Sequence, residues 1–209
     1  MQILAHRGYW LCKEEKNTLK AFQRAFENGF GIETDVRDFN GKLVISHDVA
    51  EQECLLFQEM ARMYAEKGNG LLLALNVKAD GIQKMLNKEL KYYGIENYFM
   101  FDMSVPEQVI YVRQGFRTFT RMSEFEREPV MYEQIQGIWM DEFRIPWITE
   151  ELIERYLTEG REIGIISPEI HNNETDRVWR MLLPYKESGK LILCTDEPMK
   201  ARSFFNEKN

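Results

Sequence analysis

The alternation of short apolar runs with segments of helical spacing along the whole chain is the strongest constraint on its fold. Strands separated by single helices imply parallel pairing with right-handed crossovers. Eight such units close most naturally into a (β/α)8 barrel, the TIM-barrel fold, with its active site at the carboxyl ends of the strands. The predicted strands cover residues 3–5, 31–37, 71–77, 98–101, 117–120, 137–140, 163–167 and 191–194.

Two departures from a regular barrel are predicted. After the second strand, the turn Asn40-Gly41 and the strand predicted over 42–46 indicate a hairpin arm that ends at His47. Between the fifth and sixth strands, residues 122–136 hold barely one turn of helix, so this unit is expected to be degenerate. The helices are predicted from Asn17 or Thr18 to 28, over 55–66, 82–92, 106–114, 149–159 and 174–185, and from 197 onward.

An open doubly wound sheet is the competing architecture for this alternation. It would normally carry a glycine-rich phosphate loop after the first strand, whereas this chain has His6-Arg7 followed by a single glycine. The length of 209 residues suits one domain with a sizeable core and lies near the lower limit for an eight-stranded barrel. We therefore expect a single α/β barrel domain over residues 1–209.

Composition excludes several classes of partner. A net charge of -7 without a basic stripe argues against nucleic acid. No run of about 18 apolar residues occurs, so stable membrane insertion is not expected. The chain has an odd number of cysteines, Cys12, Cys54 and Cys194, and their spacing is not that of metal ligands, which predicts reduced thiols. Together with the lack of a signal-peptide core, this predicts a cytoplasmic location. The oligomeric state has no signal in the sequence.

Ionisable side chains concentrate at the strand ends within the first fifty residues. His6 and His47 each follow a short apolar run, and Glu33 and Asp35 point to the same side of the strand between them. Two imidazoles and two carboxylates at one barrel face form an inventory for acid/base chemistry beside a hard divalent cation.

These motifs resemble the signature of the glycerophosphodiester phosphodiesterase family, which runs His-Arg-Gly, Pro-Glu-Asn-Thr, Glu-x-Asp and His-Asp. A terminal Thr-Asp-x-Pro extends the resemblance over essentially the whole chain. The corresponding residues here are His6-Arg7-Gly8, Glu15-Lys16-Asn17-Thr18, Glu33-Thr34-Asp35, His47-Asp48 and Thr195-Asp196-Glu197-Pro198.

The resemblance implies hydrolysis of a glycerophosphodiester to glycerol phosphate and an alcohol, assisted by one divalent cation, Mg²⁺ or Ca²⁺. His6 and His47 match the acid/base pair, although which is acid and which is base stays open. The remaining matches are the phosphate-binding Arg7 and Lys78, and the metal ligands Glu33 and Asp35.

Two positions depart from the family pattern. Asn76 stands where the family has a third carboxylate ligand, and Lys16 replaces the glutamate of Pro-Glu-Asn-Thr. Both changes remove negative charge, so they should weaken cation binding and strengthen phosphate binding, with Lys16 as an added phosphate-binding group. Asn76 is interpreted equally well as a metal ligand or as polar filler. Glu169, after the seventh strand, is a candidate to supply the missing carboxylate.

Several polar residues also have purely structural interpretations. Glu169 and His171 are interpreted as caps of the helix that follows them, and Asp141-Glu142 as a solvated loop. Trp139 is a candidate to line the pocket. The predicted function is a metal-dependent phosphodiesterase with a small-molecule substrate. The alternatives are a catalytically impaired barrel that binds a phosphorylated ligand, or a phosphodiesterase for sugar-linked or lipid head-group substrates.

Overall fold

The computed structural model describes residues 1–206 and contains a closed barrel of eight parallel strands. The strands are β1 (Gln2–His6), β2 (Gly31–Phe39), β3 (Lys42–Ile45), β4 (Leu55–Leu56), β5 (Leu73–Val77), β6 (Tyr98–Phe101), β7 (Phe119–Met122), β8 (Gly137–Met140), β9 (Glu162–Ile166) and β10 (Leu191–Thr195). Neighbouring barrel strands pair in the order β1, β2, β5, β6, β7, β8, β9, β10, and β10 returns to β1. The junction of β6 with β7 is reduced to one bridge, between Met100 and Thr118.

This closure confirms the predicted (β/α)8 barrel and its two irregularities. Strand β3 pairs antiparallel with β2, and the short β4 pairs with β3, which together form the hairpin arm. Between β7 and β8 the chain contains turns and bends in place of a helix. The degenerate unit therefore lies where it was expected.

Helices lie on the outside of the barrel, and side-chain caps define where several of them begin. The helices are α1 (Leu19–Glu27), α2 (Phe57–Met63), α3 (Gln83–Tyr92), α4 (Val105–Arg113), α5 (Glu150–Thr158), α6 (Asp176–Leu182) and α7 (Pro198–Asn206). The hydroxyls of Thr18, Ser104 and Thr149 accept hydrogen bonds from backbone amides in the first turns of α1, α4 and α5.

Two helices are shorter than their sequence patterns predict. The segment 55–66 begins with the two residues of β4, so α2 starts only at Phe57, and its last turn widens into a π-helical turn over Tyr64–Gly68. Helix α6 ends at Leu182 and continues as a 3-10 turn over Leu183–Tyr185, because Pro184 has no backbone N–H to continue the α-helical pattern.

Aromatic rings fill the interior of the barrel. The rings of Phe99 and Phe119 stack with their centroids 3.8 Å apart, and those of Phe101 and Trp139 lie 4.1 Å apart. Gly164 is required beside this cluster, since a Cβ atom there would lie 2.5 Å from the Trp139 ring. These rings close the barrel below its carboxyl-terminal mouth, where a cavity remains.

Every helix within residues 1–206 is too short or too polar to traverse a lipid bilayer.

Candidate active site

A cavity of about 530 Å³ opens at the carboxyl-terminal mouth of the barrel and brings together most of the predicted site residues. Trp139 forms part of its wall, as expected from its place on the sixth barrel strand. Asp35 lies just behind the wall, fully buried. The predicted residues that line the cavity are His6, Arg7, Lys16, Glu33, His47, Asn76 and Lys78.

Strand register explains why these residues converge. His6 on β1 is the register partner of Glu33 on β2, and Asp35 on β2 is the partner of Asn76 on β5. Because parallel strands in register end together at one barrel face, the four side chains meet at the mouth. Residues separated by up to 70 positions in the sequence thus form one polar floor.

The chain turns sharply after His6 to begin helix α1. Arg7 adopts a positive φ of 56°, and its amide donates to the carbonyl of Glu33 at 2.9 Å. Gly8 follows with a φ of 85°, and a Cβ atom there would lie 2.8 Å from the Cβ of Ala21. Glycine is therefore required for α1 to approach the strand end this closely.

His6 forms a hydrogen-bonded pair with Asp196, which follows the last barrel strand. The His6 Nδ1 and Asp196 Oδ1 atoms are 2.6 Å apart, and His6 Nε2 lies 3.8 Å from Glu33 Oε2. Burial lowers the pKa of His6 below its ordinary value, although the bond to Asp196 acts in the opposite direction. A neutral imidazole, held by a carboxylate at one nitrogen, is suited to accept a proton at the other.

Lys16 contacts the same carboxylate from the other side. Its Nζ atom is 3.1 Å from Asp196 Oδ2 and 4.4 Å from the centre of the Trp10 ring. Burial acts to raise the pKa of Asp196, but the bonds with His6 and Lys16 outweigh it and the pKa is lowered. The charge reversal at Lys16 therefore places a cation on the partner of the candidate catalytic histidine.

Three buried oxygens at the floor of the site have no hydrogen-bond partner among residues 1–206. They are Glu33 Oε2, Asp35 Oδ1 and Asn76 Oδ1. Burying an unpaired oxygen is costly, and hard divalent cations prefer carboxylate and amide oxygens as ligands. The residues present thus fit a Mg²⁺ or Ca²⁺ ion, with Asn76 as the third protein ligand.

Groups of three or more histidine, cysteine, aspartate or glutamate side chains able to hold a metal do not occur in the part of the chain that the structure describes. Beside Glu33 and Asp35, the third side-chain oxygen at this floor is that of the Asn76 amide. Burial and the neighbouring Asp35 carboxylate raise the pKa of Glu33 well above its ordinary value, so the pair is electrostatically strained without a positive charge beside it.

The chain supplies part of that positive charge itself. Arg7 Nε lies 3.1 Å from Asp35 Oδ2, and Lys78 Nζ lies 3.7 Å from Asp35 Oδ1. Lys78 also contacts Asp102 at 3.0 Å. Asn17, predicted only as part of a motif and as a helix cap, donates from Nδ2 to Asp35 Oδ2 at 3.0 Å and so orients this carboxylate.

His47 reaches the cavity from the hairpin arm, as predicted, but in a more open setting than His6. Its Nδ1 atom is 2.8 Å from Asp48 Oδ1, and the two side chains are 45% and 92% exposed. This contact is a surface pair, which contributes little stability. The two histidines therefore stand in contrasting environments, one buried and one exposed.

Glu169 does not supply a fourth oxygen to this floor, which corrects the expectation that it completes the metal site. One of its carboxylate oxygens accepts from the Thr195 hydroxyl and, at 3.1 Å, from the amide of Asp196, while the other accepts from the Ser167 hydroxyl. Glu169 is also absent from the cavity wall. Its hydrogen bonds instead fix the backbone that carries Asp196.

Asp141 and Glu142 are more ordered than a solvated loop. Glu142 is 8% exposed and accepts hydrogen bonds from the amides of Trp147 and Ile148. Asp141 lines the cavity and pairs with His171 at 2.7 Å. The interpretations of Asp141-Glu142 as a solvated loop and of His171 as a simple helix cap are therefore wrong.

The fold is shared with known glycerophosphodiester phosphodiesterases. A phosphodiesterase from Oleispira antarctica, solved with its product sn-glycerol-3-phosphate, aligns over 99% of this chain and 97% of its own, with a TM-score of 0.74 and 15% identity. A glycerophosphodiester phosphodiesterase from Parabacteroides distasonis aligns over 98% and 96%, with a TM-score of 0.71 and 13% identity. The glycerophosphodiester phosphodiesterase from Agrobacterium tumefaciens aligns over 98% of this chain and 98% of its own, with a TM-score of 0.68 and 16% identity.

No protein-family model and no curated protein matches the sequence. The chain thus shares its barrel fold with these phosphodiesterases at low sequence identity.

Proposed function

We propose that this protein is a phosphodiesterase that hydrolyses glycerophosphodiester-type substrates to glycerol phosphate and an alcohol. The observation that carries the proposal is the position of three buried oxygens without hydrogen-bond partners, from Glu33, Asp35 and Asn76. They lie at the same cavity floor as the hydrogen-bonded pair of His6 and Asp196. The shared fold supports it, because solved structures with this barrel include phosphodiesterases.

The roles of the residues follow from their positions. Arg7 and Lys78, and also Lys16, line the cavity as fixed cations that can bind phosphate oxygens. A divalent cation bound by Glu33, Asp35 and Asn76 would add positive charge next to the phosphoryl group.

His6 and His47 divide the two proton transfers. One removes a proton from the attacking oxygen and the other donates a proton to the leaving alkoxide. The buried, neutral His6, oriented by Asp196, is suited to begin as the base. His47, whose side chain is 45% exposed at the cavity rim, is then the acid.

Cation-dependent product release is the test of this proposal. Purified protein is incubated with several glycerophosphodiesters in the presence of Mg²⁺, of Ca²⁺ or of a chelator, and glycerol phosphate is measured. We expect release with a cation and loss of release with the chelator. Absence of release under all conditions, from protein with a normal thermal transition, would reject the enzymatic function.

A second candidate function is a barrel that binds a phosphorylated ligand without turnover. It is favoured by one observation, the contact of both Arg7 and Lys78 with Asp35, which already partly neutralises the carboxylate pair. In that case a phosphate monoester such as glycerol phosphate binds equally well with and without a chelator, and no diester is cleaved.

A further inference from the structure

The cavity has a second wall that the proposed chemistry does not use. We define the second wall as Trp139, Asp141, Phe143, Ile170 and His171, which come from β8 and from the loops after β8 and β9. His171 Nε2 lies 2.7 Å from Asp141 Oδ1, and the Phe143 ring centroid is 5.0 Å from that of His171. A polar pair is thus set among aromatic and aliphatic side chains.

This pair keeps free hydrogen-bonding capacity. Among residues 1–206, Asp141 Oδ2 and His171 Nδ1 have no hydrogen-bond partner, while the side chains stay only 17% and 24% exposed. Nδ1 of His171 donates a hydrogen bond when the ring is protonated and accepts one when the ring is neutral, so it can pair with a hydroxyl group in either state. A carboxylate oxygen and a ring nitrogen, each able to bond a hydroxyl, therefore stand side by side at the cavity surface.

An adjacent carboxylate oxygen and ring nitrogen match two neighbouring hydroxyl groups, since one hydroxyl donates to the carboxylate while the next donates to the neutral imidazole or accepts from its protonated form. Aromatic faces beside them suit the C–H face of a saturated ring. A quaternary ammonium group is a poorer fit, because it has no hydroxyl group to bond with Asp141 and His171. At about 530 Å³, the cavity lies in the size range that accommodates a drug-sized ligand.

We infer that the second wall binds a ring-shaped vicinal diol, a sugar or cyclitol, carried as one ester substituent of the phosphodiester. This inference rests on the proposed function and refines it, because it names the part of the substrate that the floor residues do not recognise. Asp141 and His171 are then specificity-determining residues, separate from the groups that transfer protons.

The first test compares two substrates in the presence of cation. Glycerophosphoinositol carries a ring of vicinal hydroxyls, whereas glycerophosphocholine carries a quaternary ammonium group. We expect Asp141→Ala to lower kcat/KM for glycerophosphoinositol about tenfold, mainly through KM, and to change the value for glycerophosphocholine less than twofold. Asp141→Asn, which keeps the size of the side chain, should show the same preference in weaker form.

Asp176→Ala is the matched control, because it also removes a carboxylate bonded to a basic side chain, here Arg180, but on the outer surface of α6. It should leave both substrates unaffected. An equal loss on both substrates in Asp141→Ala, or no loss on either, would overturn the inference.

A binding measurement separates failure of this inference from failure of the proposed function. Inositol 1-phosphate and phosphocholine are titrated into wild-type and Asp141→Ala protein and followed by NMR. Weakening of inositol phosphate binding by about tenfold, with phosphocholine unchanged, supports the second wall even if no diester is cleaved. Equal affinity of wild type and variant for inositol phosphate contradicts it, whatever the turnover.

Discussion

The imidazole of His6 and the carboxylate of Asp196 lie 2.6 Å apart although 190 positions separate them in the chain. The contact exists because β1 and β10 are neighbours at the closure of the barrel, with Ala5 and Thr195 in register. Glu169 holds the backbone of Asp196 in place, and Lys16 contacts its second oxygen. The position of His6 is thus defined by the first and the last strand together.

Asp196→Asn should reduce turnover strongly without unfolding the protein. The amide keeps the shape of the side chain but no longer stabilises the proton at His6 Nδ1, so the imidazole loses its fixed tautomer. By comparison with other carboxylate–histidine pairs, we expect kcat to fall about 10²- to 10⁴-fold. Steady-state kinetics in the presence of cation measure this loss.

Asp48→Asn is the matched comparison, since Asp48 contacts the exposed His47 in the same way. A surface pair is worth at most about 1 kcal/mol, so kcat should fall less than about fivefold. Equal effects of the two variants would show that the buried pair has no special role.

Asn76→Glu should increase cation affinity. The substitution places a third carboxylate beside Glu33 and Asp35, where the side-chain oxygen of Asn76 has no hydrogen-bond partner. We expect the Kd for Ca²⁺ or Mg²⁺ to fall about tenfold, which corresponds to about 1.4 kcal/mol. Calorimetric titration measures it. Asn87→Glu adds the same charge on the exposed face of α3 and should leave the Kd unchanged. A similar decrease in Kd in both variants would show that added negative charge, and not a third metal ligand, causes the tighter binding.

Gly164→Ala should destabilise the fold. The added methyl group would lie 2.5 Å from Cε3 of Trp139 inside the barrel, and overpacking of a buried site costs about 1–3 kcal/mol. Gly189→Ala has no heavy atom within 4 Å of the new carbon and serves as the control. Urea unfolding should show a lowered midpoint for the first variant alone, and equal midpoints would argue against close packing at Trp139.

The His171 imidazole should titrate above the ordinary histidine value near pH ~6.5. Its hydrogen bond to Asp141 raises its pKa, with burial acting in the opposite direction. The Asp141→Asn variant removes the charge, so the His171 pKa should fall. NMR of the imidazole protons resolves this resonance from those of His6 and His47, and an unchanged pKa in the variant would contradict the pairing.

The same pair makes a pH-dependent contribution to stability. Because the folded pKa of His171 is raised, the stabilisation is fully present below the unfolded pKa and is lost as pH rises through the folded pKa. The difference in free energy of unfolding between wild type and Asp141→Asn should therefore shrink across that interval. A difference that grows with pH would contradict a raised pKa of His171 in the folded protein.

Local sequence patterns were sufficient for most of the fold. The strands 98–101 and 137–140 lie within the residues predicted, because apolar runs bounded by turns are local signals. The end of α6 departed from its periodic pattern because Pro184 interrupts the backbone hydrogen bonds. Strand β4 was missed, since a two-residue strand has no period to detect.

The site was only partly predictable, because strand-end positions do not specify where side chains point. Glu169 was expected in the cavity, yet it turns to Ser167 and Thr195, whose hydroxyls are near it only in the folded barrel. The role of Asp196 was missed for the same reason, although its place in the terminal motif was a usable signal. The single domain, the cytoplasmic location and the absence of a nucleic-acid partner stay predictions.

Turnover of a glycerophosphodiester by wild type, His6→Ala and His47→Ala, each with saturating cation, tests the central claim most directly. We predict measurable release of glycerol phosphate by the wild type and loss of at least about 10²-fold in each variant, because each histidine transfers one of the two protons. Turnover that survives in His6→Ala at the wild-type rate would contradict the account.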